Sequence, residues 1–217
     1  MDNKLTITNE DNIELMARYP DKYFDLAIVD PPYGNDLNGG RSKKNGWGKN
    51  IDWDKCNKNW NLNIPSKDFF IELQRVSKNQ IIWGGNYMTE YLKPSMGWII
   101  WDKGQRDFSL ADGEMAWTSF NKAMRIFEFS RASCIKSNNT MIEKFHPTAK
   151  PFELYKWLLD KYAKPGDKIL DTHLGSGSIA LACHDYGFEL TACELDKEYF
   201  DKAIERIKNH TNQTKLF

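Results

Sequence analysis

The sequence predicts an α/β fold with a mainly parallel sheet, and three observations carry that prediction. Strand-like and helix-like segments alternate along the chain, the pattern of an α/β layer architecture. Residues 26–29 (Leu-Ala-Ile-Val) have no polar position, as expected of a strand covered by helices on both faces. A glycine turn, Asp171-Thr172-His173-Leu174-Gly175-Ser176-Gly177-Ser178, falls between a predicted strand and a predicted helix, and Glu194 ends the next strand 23 residues after Asp171.

Residues 11–18 read as a first helix leading into the strand at 26–29. Residues 34–65 are rich in Gly, Asn, Lys and Trp without periodicity and read as a long loop, a length that tends to be functional. Ser66 can cap a helix running through Val76, with Phe69, Phe70 and Leu73 on its inner face, and a strand follows at 80–83. Three further strands are expected at 98–101, 114–120 and 124–129, antiparallel because the last two are joined by a short polar link. Pro151 opens a helix through Tyr162, in keeping with proline's place in a first turn. A strand at 168–170, a helix at 178–186, a strand at 188–193 and a helix at 196–209 complete the order. There is no internal repeat or low-complexity segment.

At 217 residues and 41% hydrophobic content the chain is expected to form one domain with a substantial core. No apolar run reaches the length of a membrane span and Met1-Asp2-Asn3-Lys4 opens no signal peptide, so a soluble cytoplasmic protein is expected. Cys56, Cys134, Cys183 and Cys193 contain no CxxC pair and are read as free thiols; His146, His173, His184 and His210 lack ligand spacing, so no metal is expected. The net charge is zero, but 34–49 carries four bases, Arg41, Lys43, Lys44 and Lys49, against one acid, and 121–150 six against two. Such patches can hold phosphates or can be solvated faces.

Asp30-Pro31-Pro32-Tyr33 follows the apolar run directly. The motif suits a planar exocyclic amine held for attack on a methyl donor: Asp30 can accept a hydrogen bond from one amine proton and the Pro31 carbonyl from the other. Pro31 and Pro32 restrict the backbone so that these acceptors are set in advance, and Tyr33 offers a ring for a base to stack on. The second constellation suits a nucleotide-like cofactor, since Gly175 and Gly177 let backbone approach a ligand and Glu194 can bind ribose hydroxyls. A plain tight turn would use the same glycines. The loop lacks a full G-x-G-x-x-G and any Walker lysine. S-adenosylmethionine, with a ribose and an adenine but no phosphate, fits better than a polyphosphate.

Together these residues resemble the DNA methyltransferases that methylate adenine N6 or cytosine N4. Asp30-Pro31-Pro32-Tyr33 is similar to the family's catalytic motif, 171–178 to its methionine-binding loop and Glu194 to its ribose-binding acid. His146-Pro147-Thr148-Ala149-Lys150-Pro151 resembles the segment before a helix that packs beside the cofactor. The catalytic motif precedes the cofactor loop, the order of the family's β group. The glycine loop departs from the family in beginning Asp171-Thr172-His173, where Asp-Pro-Phe is usual.

The resemblance implies a Rossmann-like S-adenosylmethionine-dependent methyltransferase fold with a small inserted DNA-recognition region, and Asp171, His173, Gly175, Ser176, Gly177, Ser178, Glu194 and Lys150 as cofactor residues. It implies double-stranded DNA as partner, a flipped target base and direct attack without a covalent intermediate. Arg41, Lys43, Lys44 and Trp47 are candidate DNA contacts within 34–65, and 121–150 is a second DNA-contacting region. Trp47 and Trp53 can equally anchor their loop. Asn86 and Asp102 are candidate base contacts or ordinary turn residues. Adenine is the expected target because Asp opens the catalytic motif where cytosine N4 enzymes more often have Ser; cytosine N4 methylation and a non-catalytic DNA- or cofactor-binding relative stay open. A bacterial or phage origin is implied, with or without a restriction partner, and a homodimer is allowed. Residues 210–217 are read as a flexible tail, in which Gln213, Leu216 and Phe217 resemble a peptide that docks on the replication sliding clamp; the alternative is an end folded back on the domain.

Overall fold

The computed structural model describes residues 5–34, 63–106, 111–130 and 149–212. Eight strands form one sheet: β1 (Leu5–Thr8), β2 (Phe24–Val29), β3 (Ser77–Trp83), β4 (Trp98–Asp102), β5 (Gly113–Thr118), β6 (Arg125–Glu128), β7 (Lys168–Asp171) and β8 (Glu189–Cys193). Among the described residues five helices flank it: α1 (Asn12–Ala17), α2 (Lys67–Val76), α3 (Phe152–Tyr162), α4 (Ser178–Tyr186) and α5 (Lys197–Thr211). The strand order is β1-β8-β7-β2-β3-β5-β4-β6. Five of the seven pairings are parallel, and β5 alone runs against the rest.

The apolar run of β2 is explained by its position at the centre of the sheet. Leu26 and Ile28 pack into the core that includes Leu154, Leu158, Ile179 and Ala203 of α3, α4 and α5. Ala27 and Val29 pack on the other face with Leu15 and Met16 of α1 and Phe69, Phe70 and Leu73 of α2. A polar residue at any of these positions would be stranded from water on whichever face it met.

Two helices start on identifiable caps. The Asp11 carboxylate accepts the Ile13 N–H at 2.7 Å, and Asp196 accepts those of Glu198 and Tyr199 at 3.0 and 3.1 Å, each satisfying donors that a helix start leaves open. Ser66 stands at the α2 N-cap in extended conformation but makes no side-chain cap bond. Pro151 is the N-cap of α3, one residue before the helix proper.

The three strands expected as an antiparallel set are arranged differently. β5 and β6 do not pair; β4 lies between them, antiparallel to β5 and parallel to β6. The link after β5 crosses the start of β4 at Gly97, where a Cβ would stand 2.5 Å from the Phe120 carbonyl oxygen and 2.6 Å from Thr118 Oγ1. Glycine there lets the link pass under β4 and deliver β6 to its far side. β1, Leu-Thr-Ile-Thr, is a further strand that the sequence reading did not include; it pairs in parallel with β8.

Cys183 and Cys193 are buried free thiols, both held above the ordinary thiol range by burial. Cys56, Cys134, Trp53, His146 and the tail residues Gln213, Leu216 and Phe217 lie outside the described residues. Among the described residues no helix is long and apolar enough to cross a membrane.

Candidate active site

β2 and β7 are parallel neighbours, with Leu26 opposite Ile169 and Ala27 opposite Leu170. From this pair the chain builds outward in opposite directions, through β3 on one side and β8 on the other, and ligands of open α/β sheets bind at the carboxyl ends of strands where this reversal occurs. Asp30 follows β2 and Asp171 ends β7, so the two motifs open on one crevice.

Tyr33 donates its hydroxyl to Asp30 Oδ1 at 2.6 Å. Lys150, its side chain only 1% exposed, places Nζ 2.5 Å from Asp30 Oδ2 and 3.2 Å from Glu114 Oε2, and it donates to the Tyr33 hydroxyl at 3.0 Å. Glu114 is held from its other side by Lys103 at 2.6 Å. Burial pushes Glu114 upward, but Lys150 and Lys103 outweigh it and hold the carboxyl down to about 2. Burial raises Asp30 above the ordinary aspartate range against the opposing charge of Lys150. Lys150 is held above its usual value by Asp30 and Glu114 despite its burial, so it is charged. The Tyr33 phenol is pushed well up by burial and by Asp30 and remains a donor. Its ring stacks on Tyr87 at 5.4 Å between centroids.

The glycine loop is tied to the end of β8. Glu194 accepts the Gly175 N–H on Oε2 and the Asp196 N–H on Oε1, each at 2.9 Å. Gly175 and Gly177 sit at φ +52° and +75°, the left-handed region that favours glycine. From α5, Arg206 donates to the Ser176 carbonyl at 2.7 Å and to Ser178 Oγ at 3.0 Å, bracing the loop from behind. Asp171 accepts the His173 N–H at 2.9 Å, and burial lifts its carboxyl to about 8. His173 faces α1 and α2 rather than the loop's own glycines: Asn12 meets its Nε2 at 3.3 Å and Phe69 packs edge-on at 5.3 Å. Burial lowers this imidazole to about 4.

These features fit a ribose-bearing ligand. The Glu194 carboxylate accepts backbone N–H groups and, with about four acceptor sites on its two oxygens, has room for a ribose hydroxyl. Leu195 beside it is 69% exposed, an apolar surface suited to an adenine ring.

The remaining candidates are placed as follows. Lys150, expected with the cofactor residues, lies against Asp30 and Glu114, where a buried ammonium finds two carboxylates. Asp102 caps its own turn, accepting the Gly104 N–H at 2.9 Å and pairing with Arg106 at 2.6 Å, the ordinary turn role. Asn86 is exposed in the 3-10 turn Gly85–Tyr87, next to Tyr87. Arg41, Lys43, Lys44 and Trp47 lie outside the described residues. Glu114 and Arg206 are residues beside these motifs that the sequence reading did not point to, whereas Tyr87 and Lys103 lie next to the candidates Asn86 and Asp102. Glu114 carried one signal, an acid within the otherwise largely apolar strand β5.

The N6/N4 DNA methylase family model matches residues 72–205. The type II methyltransferase M2.DpnII of Streptococcus pneumoniae is 23% identical, over 97% of this chain and 92% of its own length. M.HinfI of Haemophilus influenzae is 28% identical, over 94% of this chain and 68% of its own length. The crystal structure of an M1.HpyAVI–SAM complex superimposes with a TM-score of 0.58 at 18% identity, covering 96% of this chain and 99% of that one. With a family model spanning more than half of its length, this chain belongs to the N6/N4 DNA methylases.

Proposed function

We propose that this protein is a β-group, site-specific DNA adenine N6-methyltransferase with S-adenosylmethionine as methyl donor. The observation that carries the reading is the pairing of β2 with β7, which sets Asp30 and the Gly175–Glu194 loop on one crevice. The donor complex with M1.HpyAVI supports the choice of cofactor. Glu194 would hold the ribose hydroxyls, Leu195 the adenine, and the loop from Asp171 through His173 and Gly175 to Ser178 the remainder. Bound there, S-adenosylmethionine supplies an electrophilic methyl group on a sulfonium.

The acceptor is an exocyclic amine whose lone pair is conjugated with its ring. Asp30 and the Pro31 carbonyl accept hydrogen bonds from its two N–H groups and draw the nitrogen toward tetrahedral geometry, freeing the lone pair for direct attack, after which the methylated nitrogen loses one of those protons. The target base would be flipped out of the duplex and stack on Tyr33, itself braced by Tyr87. The charge of Lys150 opposes the burial that raises Asp30 and so favours the ionised, accepting form of this carboxylate. Arg41, Lys43, Lys44 and Trp47 in 34–65 and the basic segment 121–150 would contact DNA, and the opening Asp of the catalytic motif favours adenine over cytosine.

Transfer of labelled methyl from S-adenosylmethionine to unmethylated duplex DNA, followed by nucleoside digestion, tests this. N6-methyladenine is the expected product. N4-methylcytosine would reassign the target base, and no incorporation would leave a binding protein.

A further inference from the structure

The side chains around Asp30 form an alternating line of charge: Lys103, Glu114, Lys150, Asp30, separated by 2.6, 3.2 and 2.5 Å. Glu114 reaches this place because β5 is the reversed strand. Its second residue therefore lies at the rim where β2 and β3 end, paired with Trp101, two positions from the Trp83–Ala116 pair. With all four groups ionised the line is neutral. Tyr33 keeps its proton, and Asp171, held up to about 8, is largely protonated at neutral pH.

Neutrality matters in a crevice that must take up a cation. Without Glu114, Asp30 would face two ammonium groups, leaving one uncompensated positive charge where a sulfonium is to be bound. We propose that Glu114 is a positioning residue that balances Lys150 and Lys103 and thereby lets the site favour the charged methyl donor over its neutral thioether product. The inference rests on the proposed cofactor reading and deepens it, assigning to β5 a part in ligand discrimination. A unit charge within about 10 Å, at an effective dielectric of about 20, alters cation affinity on the order of tenfold, while a neutral ligand is little affected.

The test is calorimetric, with the full chain and two ligands, S-adenosylmethionine and S-adenosylhomocysteine. Glu114→Gln should lower the ratio of their affinities about tenfold. Lys103→Gln, which removes the opposite charge at the outer end of the line, should raise the ratio. The double variant should return it to the wild-type value. Equal weakening of both ligands in Glu114→Gln would mean a packing role and overturn the proposal, as would a double variant whose ratio is not restored. If Glu114→Gln does not fold, the Lys103→Gln ratio decides alone, an unchanged or lowered value overturning the idea. A wild-type chain that binds neither ligand would instead remove the cofactor reading beneath it.

Discussion

The Tyr33 ring occupies the space that a Cβ on Gly84 would fill: that atom would stand 2.2 Å from Tyr33 Cε1 and 2.3 Å from Cδ1. Gly84 has φ +69° and follows β3 directly, so the end of one strand is shaped as the seat for an aromatic that follows another. Gly84→Ala should expel the ring. A displacement of about 1 Å at a reacting centre can cost on the order of a hundredfold in rate, and a loss of that size in methyl transfer is expected. Far-UV circular dichroism should be unchanged and cofactor affinity should stay within a few-fold. Retained turnover in the folded variant would separate Tyr33 from the chemistry.

Asp30 and Lys150 should depend on each other for stability. Removing one partner of a buried pair leaves an uncompensated charge, at a cost of about 3–5 kcal/mol. Lys150→Met is therefore expected to lower the urea midpoint substantially. Asp30→Asn combined with Lys150→Met should recover part of the loss, and strictly additive effects would show that the two side chains are not coupled. Asp30→Asn alone should abolish methyl transfer yet leave cofactor affinity within a few-fold.

Glu194→Ala should weaken S-adenosylmethionine binding by about 1–3 kcal/mol, the cost of leaving buried polar groups without partners. It also releases the Gly175 and Asp196 N–H groups that the carboxylate now accepts. Calorimetry measures the change, and an unaltered Kd in a folded variant would place the ribose elsewhere.

Asp171 imposes a pH dependence. Its carboxyl is lifted by burial to about 8 in the fold, against about 3.9 in an unfolded chain. Between these values the folded state holds a proton that the unfolded state has released, so this group's contribution to stability falls as pH rises through that window. Asp171→Asn removes the dependence. It should raise Tm relative to wild type by more at pH 8 than at pH 5, and a difference that does not grow with pH would show that Asp171 is ionised in the fold.

The central elements were legible because their signals are local. The apolar run of β2, and a helix bounded by Gly177 and Gly187, both at positive φ, can be read from short stretches of sequence. Pairing was less legible. The short link after β5 suggested a hairpin, but the partner of β6 was decided by Gly97, more than twenty residues upstream, which clears the path of the link. Asp30, Tyr33, Gly175 and Glu194 announced themselves through motifs. Lys150 was visible but its pairing with Asp30 and Glu114 was not, because these partners come from segments remote in sequence. The first strand escaped notice: its alternation of Leu5 and Ile7 with threonines spans only four residues.

The parallel pairings of β2 with β7 and of β1 with β8 impose an order on the chain's assembly. Leu5 waits for Leu190, and Leu26 for Ile169, so during synthesis one edge of the apolar β2 has no neighbour until most of the chain has left the ribosome. Contacts of such sequence separation slow folding, and an open apolar edge invites association with other chains. The same pairings that unite the two motifs leave a nascent chain without its cofactor half. Catalytic competence should therefore arise late in synthesis, together with protection of the central strand.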